Sequence, residues 1–101
     1  MSQARPTRIQ VKRSKGWRLP AHAVYVGRPS RWGNPFVVGR DGDREACKER
    51  HRAWIMAPEQ AALRAEARAE LRGKTLACWC RPDQACHADT LLEIANAPER
   101  P

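Results

Sequence analysis

Three of the four cysteines of this chain and one of its three histidines fall within ten residues, Cys78-Trp79-Cys80-Arg81-Pro82-Asp83-Gln84-Ala85-Cys86-His87. Thiolates and imidazoles gathered this closely either hold a metal or build a reactive thiol. As a metal centre, Cys78, Cys80, Cys86 and His87 form a ligand set that suits zinc. The spacing fits less well, because Cys-x-Cys is tighter than the usual Cys-x2-Cys knuckle and adjacent Cys86 and His87 converge poorly on one ion. Cys47 and His51 lie one helical turn apart and offer a substitute ligand. As a thiol centre, Cys80 or Cys86 is the nucleophile, His87 the base and Asp89 its orienting group. A third reading is structural, with small buried thiols and helix-start residues. Spacing alone leaves all three open.

A second constellation is Gly27-Arg28-Pro29-Ser30-Arg31-Trp32-Gly33-Asn34-Pro35-Phe36. Two arginines, a hydroxyl and glycine-exposed backbone N–H groups are suited to gripping phosphate. Trp32 or Trp17 could stack on a base. The pattern is neither a P-loop nor a dinucleotide fingerprint. Its competing reading is a rigid turn, shaped by Gly and Pro, plugged by Trp32 and Phe36, and tied to the backbone by Asn34.

The charge pattern bears on the partner. The net charge is +8, and residues 1–40 hold nine Lys or Arg and no acid, while all eleven acids lie in 41–101 against ten bases. A one-sided basic segment points to an anionic partner, either a nucleotide or a nucleic acid. No apolar run is long enough for a membrane span. Met1 to Pro6 lack the apolar core of a secretory signal, so a cytoplasmic, reducing setting is expected, where clustered cysteines serve as ligands or thiols rather than disulfides.

These residues need elements to position them. A chain of 101 residues has room for one small core. The alternation of Ile9 and Val11 with Arg8, Gln10 and Lys12 predicts a strand over 7–13. Ala23 to Val26 is a short buried strand, and Phe36 to Val38 adds a brief one. Asp43 caps a helix over 44–56 whose one face carries Cys47, His51, Trp54 and Ile55. A second helix starts at Pro58 and runs to about Arg72, with Ala62, Leu63, Ala67 and Leu71 on one side, and Gly73 ends it. Thr75 to Cys80 is a strand that puts Cys78 and Cys80 on one face and Trp79 on the other. Pro82 and Asp83 turn the chain into a last helix over 85–96, which buries Leu91, Leu92 and Ala95. Its N-terminus favours a thiolate or an anion. The expectation is a single small α/β domain over 8–96, ordered β-β-(β)-α-α-β-α, with flexible tails at 1–7 and 97–101. Both motif loops follow strands and should open on the same sheet edge.

The run Ala23 to Phe36, followed by Leu76-Ala77-Cys78-Trp79-Cys80 and Cys86-His87-Ala88-Asp89, resembles the family called domain of unknown function 4326. The family looks like one of small proteins and domains from bacteria and phages. The resemblance supplies a motif map rather than a reaction. It implies that Gly27, Arg28, Gly33, Asn34, Cys78, Cys80, Cys86 and His87 are the positions to watch. Cys47 and His51 lie outside those motifs, which weakens their claim to a shared metal site.

Together these features lead to a protein that binds a nucleotide or nucleic acid. Arg28, Ser30 and Arg31 would meet phosphate, Trp32 or Trp17 would stack, and Gly27, Gly33 and Asn34 would complete the ligand-binding loop beside the cysteine cluster, which would anchor the fold or act in catalysis. The alternatives are a zinc- or thiol-dependent enzyme acting on a nucleotide-derived substrate, and a phage-type protein-interaction module with a structural cysteine-histidine site. Oligomeric state is not legible.

Overall fold

The computed structural model describes residues 7–28, 30–81 and 83–97, which form a mixed α/β unit. The expected tails lie outside the described residues, apart from Thr7 and Ala97. Three strands, β1 (Arg8–Gln10), β2 (Ala23–Tyr25) and β3 (Thr75–Cys78), make one sheet in the order β1-β3-β2. Both pairings are parallel, with Ile9 opposite Ala77 and Val24 opposite Leu76. The central strand β3 buries Leu76, Ala77 and Cys78, the unbroken apolar pattern of a strand covered on both faces.

Helix α1 (Arg44–Met56) begins as expected, with the Asp43 carboxylate accepting from the Ala46 N–H at 2.8 Å. Its buried face holds Cys47, His51 and Ile55. A 3-10 turn over Pro58–Gln60 leads into α2 (Ala61–Leu71). Arg64 of α2 donates to the carbonyls of Ile55 and Ala57 at 2.7 and 2.8 Å, satisfying acceptors that the end of α1 leaves free. Gly73, at φ 77°, takes the left-handed conformation that releases the chain toward β3. Helix α3 (His87–Asn96) packs on β1 and β3 as well as on α1 and α2. The core between them includes Val26, Trp32, Ile55, Leu71, Leu76, Leu91 and Ile94.

Five expectations need correction. The first strand covers only Arg8–Gln10 of the expected 7–13. Phe36 to Val38 is not a strand. Its N–H groups are taken locally, Phe36 by the Asn34 side chain at 2.9 Å and Val37 by Asp41 at 2.8 Å, so no ladder can form. The last strand ends at Cys78 rather than Cys80, because β2 pairs only to Ala77 and β1 only to Cys78. The second α-helix starts at Ala61, and Ala62 is exposed on it. The last helix starts at His87, because Cys86 is extended at φ −149° and ψ 142° and serves as its N-cap residue.

Candidate functional site

Because β2 and β3 run parallel side by side, the loops that follow them leave the sheet on one edge. The first loop is anchored by the Val26 N–H, which donates to the Ala77 carbonyl at 2.8 Å. It then turns twice, through Ser30 N–H to Gly27 carbonyl at 2.9 Å and Gly33 N–H to Ser30 carbonyl at 3.0 Å. Both glycines sit where a side chain would crowd its neighbours. A Cβ on Gly27 would lie 2.5 Å from the Tyr25 hydroxyl, and one on Gly33 would lie 3.1 Å from the Arg28 backbone. The Tyr25 hydroxyl donates to the Arg28 carbonyl at 2.7 Å, and Trp79 Nε1 donates to that hydroxyl at 3.0 Å. Asn34 joins the loop to α1 by donating to the Cys47 carbonyl at 3.2 Å.

The two loops and the first turns of α1 enclose a cavity of about 380 Å³. Arg28 and Asn34 line it from the first loop, Cys78, Cys80, Cys86 and His87 from the second, and Arg44, Cys47 and Lys48 from α1. Tyr25, Phe36 and Trp79 are its aromatic walls. Among the described residues no Asp or Glu lines it.

The Sγ atoms of Cys78, Cys80 and Cys86 lie within 4.8 Å of one another, a grouping that could hold a metal ion. Cys78 and Cys86 stand 3.2 Å apart, and both are buried, while Cys80 is half-buried. One negative charge belongs naturally on Cys80. Hydrogen bonds from the Cys78 and Cys86 thiols, then the Arg44 guanidinium at 3.3 Å, hold Cys80 far below the ordinary thiol range. Donation to Cys80 pushes Cys78 up, donation to Cys78 and then to Cys80 pushes Cys86 up, and burial adds to both.

His87 is buried beside this cluster. Burial lowers its pKa and keeps the ring neutral. Its Nε2 lies 2.8 Å from the Val26 carbonyl, which can only accept, so Nε2 carries the proton. The lone pair of Nδ1 therefore faces the Cys86 sulfur, 3.8 Å away. Among the described residues His87 is not part of the metal-capable group, which consists of three sulfurs. Cys47 and His51 are not part of it either. The Cys47 thiol sits 3.7 Å from the Gly42 carbonyl, and His51 is buried against Trp54 and His87.

Several residues from the sequence reading lie elsewhere. Asp89 is off the cavity lining, with its carboxylate held by Arg8 at 2.9 Å and Lys48 at 3.4 Å. Arg31 is drawn to α2 by Glu66 and Glu70 and stacks on the Trp32 ring at 4.7 Å. Trp32 is buried in the core. Ser30 and Trp17 are not among the lining residues, and the buried Ser30 hydroxyl has no hydrogen-bond partner among the described residues.

Other lining residues were missed. Arg44 opens α1, where the helix dipole disfavours a cation, and Lys48 stands one turn further on. A cation at a helix start is the signal in the sequence that sets Arg44 apart. Trp79, expected on the opposite face of a strand, lies beyond the strand, 45% exposed, on the cavity wall.

The geometry of the two loops matches the sequence motifs that carry the family resemblance. A family model described as Domain of unknown function (DUF4326) matches residues 9–97. The chain belongs to the DUF4326 family. The matched span of DUF4326 includes both cavity loops and all three helices. No curated protein and no solved structure matches the chain. Among the described residues no helix is long and apolar enough to cross a membrane.

Proposed function

We propose that the protein binds a small anionic ligand of nucleotide type in the cavity between its two loops, and that Cys78, Cys80 and Cys86 hold zinc beside it. The observation that carries the ligand reading is the lining, with Arg28, Arg44 and Lys48 together and no carboxylate among them. Arg28 and Arg44 converge from different segments with no acid between them on the lining, and Lys48 beside them is shared with Asp89; such a pair of guanidinium groups suits a phosphate. The volume of about 380 Å³ falls in the usual range for small-molecule sites, roughly 300–1,000 Å³. Trp79 supplies a face for a base, the role that the sequence reading gave to Trp32.

Zinc follows from the donor set. Thiolates select soft or borderline ions over magnesium or calcium. At a Zn–S distance of about 2.3 Å, tetrahedral sulfurs stand about 3.8 Å apart. The observed sulfurs, with one pair at 3.2 Å and all within 4.8 Å, need only small rotations to reach that spacing. A catalytic use of the same centre draws support from Cys80, whose favoured thiolate lines the cavity where a ligand would lie.

Calorimetric titration with a mononucleotide and with a single-stranded oligonucleotide, each at low and moderate salt, tests the ligand. A pocketed mononucleotide should lose little affinity as salt rises. An oligonucleotide gripped along its backbone should lose about a thousandfold between roughly 50 and 200 mM salt. Absence of binding by both at low salt would sink the reading. Elemental analysis of protein purified without added metal should find about one zinc per chain. Metal-free protein that melts at an unchanged temperature in chelator would remove zinc.

A further inference from the structure

We propose that the metal held by Cys78, Cys80 and Cys86 completes its coordination with an oxygen of the bound anion, a terminal phosphate, so that metal site and ligand site are one. This inference rests on the zinc and anion readings above and adds the bond between them.

Three observations lead to it. All three cysteines line the cavity that also holds Arg28, Arg44 and Lys48, so an ion bound to them faces the ligand space. Zinc takes four ligands in a closed structural site, and an enzyme site keeps one for an exogenous group. Among the nearby side chains able to close the site, Cys47 and Asp89 are engaged elsewhere, and His87 lies outside the group of three sulfurs. His87 donates its Nε2–H to the Val26 carbonyl, and its Nδ1 lone pair meets the Cys86 sulfur at 3.8 Å. Cys47 is directed at the Gly42 carbonyl. Asp89 lies between Arg8 and Lys48.

The charges agree with this arrangement. A divalent ion with three thiolates carries a net negative charge, so an incoming phosphate would be repelled unless cations faced it. Arg44 stands against Cys80, Lys48 follows on the same side of α1, and Arg28 enters from the other loop. A metal site serving only to staple the fold has no need of three cations around its exposed side.

Cobalt(II) substitution tests the bond directly, because its visible bands report the ligands around the ion. Protein loaded with one cobalt per chain is titrated with inorganic phosphate, and binding is followed in parallel by calorimetry. The expected result is a saturable change in the visible bands, with the same midpoint as the calorimetric binding, while the sulfur-to-cobalt charge-transfer band persists. Arg28→Ala should keep the cobalt spectrum and weaken the phosphate response by about tenfold or more, the loss expected for a charge-assisted hydrogen bond. Phosphate that binds by calorimetry without altering the bands would overturn the inference and leave the anion pocket standing. Failure to take up cobalt would overturn it through the metal reading, and cobalt uptake without phosphate binding would overturn it through the anion reading.

Discussion

Cys80 concentrates the chemistry of the cavity at the scale of one side chain. It receives hydrogen bonds from two thiols that stay protonated, and the Arg44 guanidinium lies 3.3 Å from its sulfur. Only the thiolate is a nucleophile, so these partners select which of three neighbouring cysteines reacts. In metal-free protein at about pH 6, iodoacetamide should label Cys80 ahead of Cys78 and Cys86. Peptide mass mapping after brief labelling reads the order, and preferential labelling of Cys86 would contradict it. Loaded metal should protect all three. Trp79 illustrates the same scale from the other side. Its indole is fixed by the Tyr25 hydroxyl while Arg13 lies 5.0 Å from the ring centroid, which sets a half-exposed aromatic at the rim of the cavity.

The elements meet through Arg8. Strand alternation turns this residue toward solvent, yet its side chain is 9% exposed. It reaches from β1 to the Asp89 carboxylate on α3 and to the carbonyls of Arg81 and Gln84 in the cysteine loop. One guanidinium thereby ties the first strand, the loop between Cys80 and Cys86, and the first turn of α3. Charge-assisted bonds to partly buried acceptors are worth more than surface pairs, and removal leaves Asp89 with less compensation. Arg8→Met should cost about 2–3 kcal/mol of stability. Urea denaturation measures this, and a loss within about 0.5 kcal/mol of zero would place Arg8 among ordinary surface residues. Hydrogen exchange at residues 83–86 should quicken in the same variant.

Across the whole molecule, much of the charge that looked one-sided is neutralised in space. Arg8 meets Asp89, Arg31 meets Glu66 and Glu70, and Arg40 meets Asp41. Lys48 shares Asp89 with Arg8, so the basic character of the cavity rests on Arg28 and Arg44. The interior also holds a neutral histidine. His51 is 1% exposed, and burial, with the nearby His87, lowers its pKa to about 3. The folded state therefore resists a proton that the unfolded chain accepts below about pH 6.5. Stability from this residue is complete above that pH and falls as pH drops from 6.5 toward 3, by up to about 1.4 kcal/mol per pH unit. His51→Leu should flatten that slope relative to wild type in denaturation curves measured between about pH 7 and 5. An unchanged slope would mean that His51 is protonated in the fold.

Much of the framework was legible in the residues themselves. Asp43 as a cap, the apolar face of α1, Gly73 as a helix end and the apolar run of β3 are local signals, and each element formed where its signal lay. The two loops were also visible, because glycine spacing and clustered cysteines are short-range patterns. Their meeting at one edge followed from strand order. What the sequence by itself could not decide was which side chains reach the shared cavity. Arg44, Lys48 and Trp79 reach it because α1 and the end of β3 pack beside the first loop. Arg31 and Trp32 leave it because acids on α2 and the core take them instead. The strand expected at 36–38 failed for a related reason, since side chains of Asn34 and Asp41 took the backbone donors that a ladder needs. Helix and turn signals depend on neighbours in sequence. Charge pairing and burial depend on neighbours in space, and only the tertiary structure supplies those.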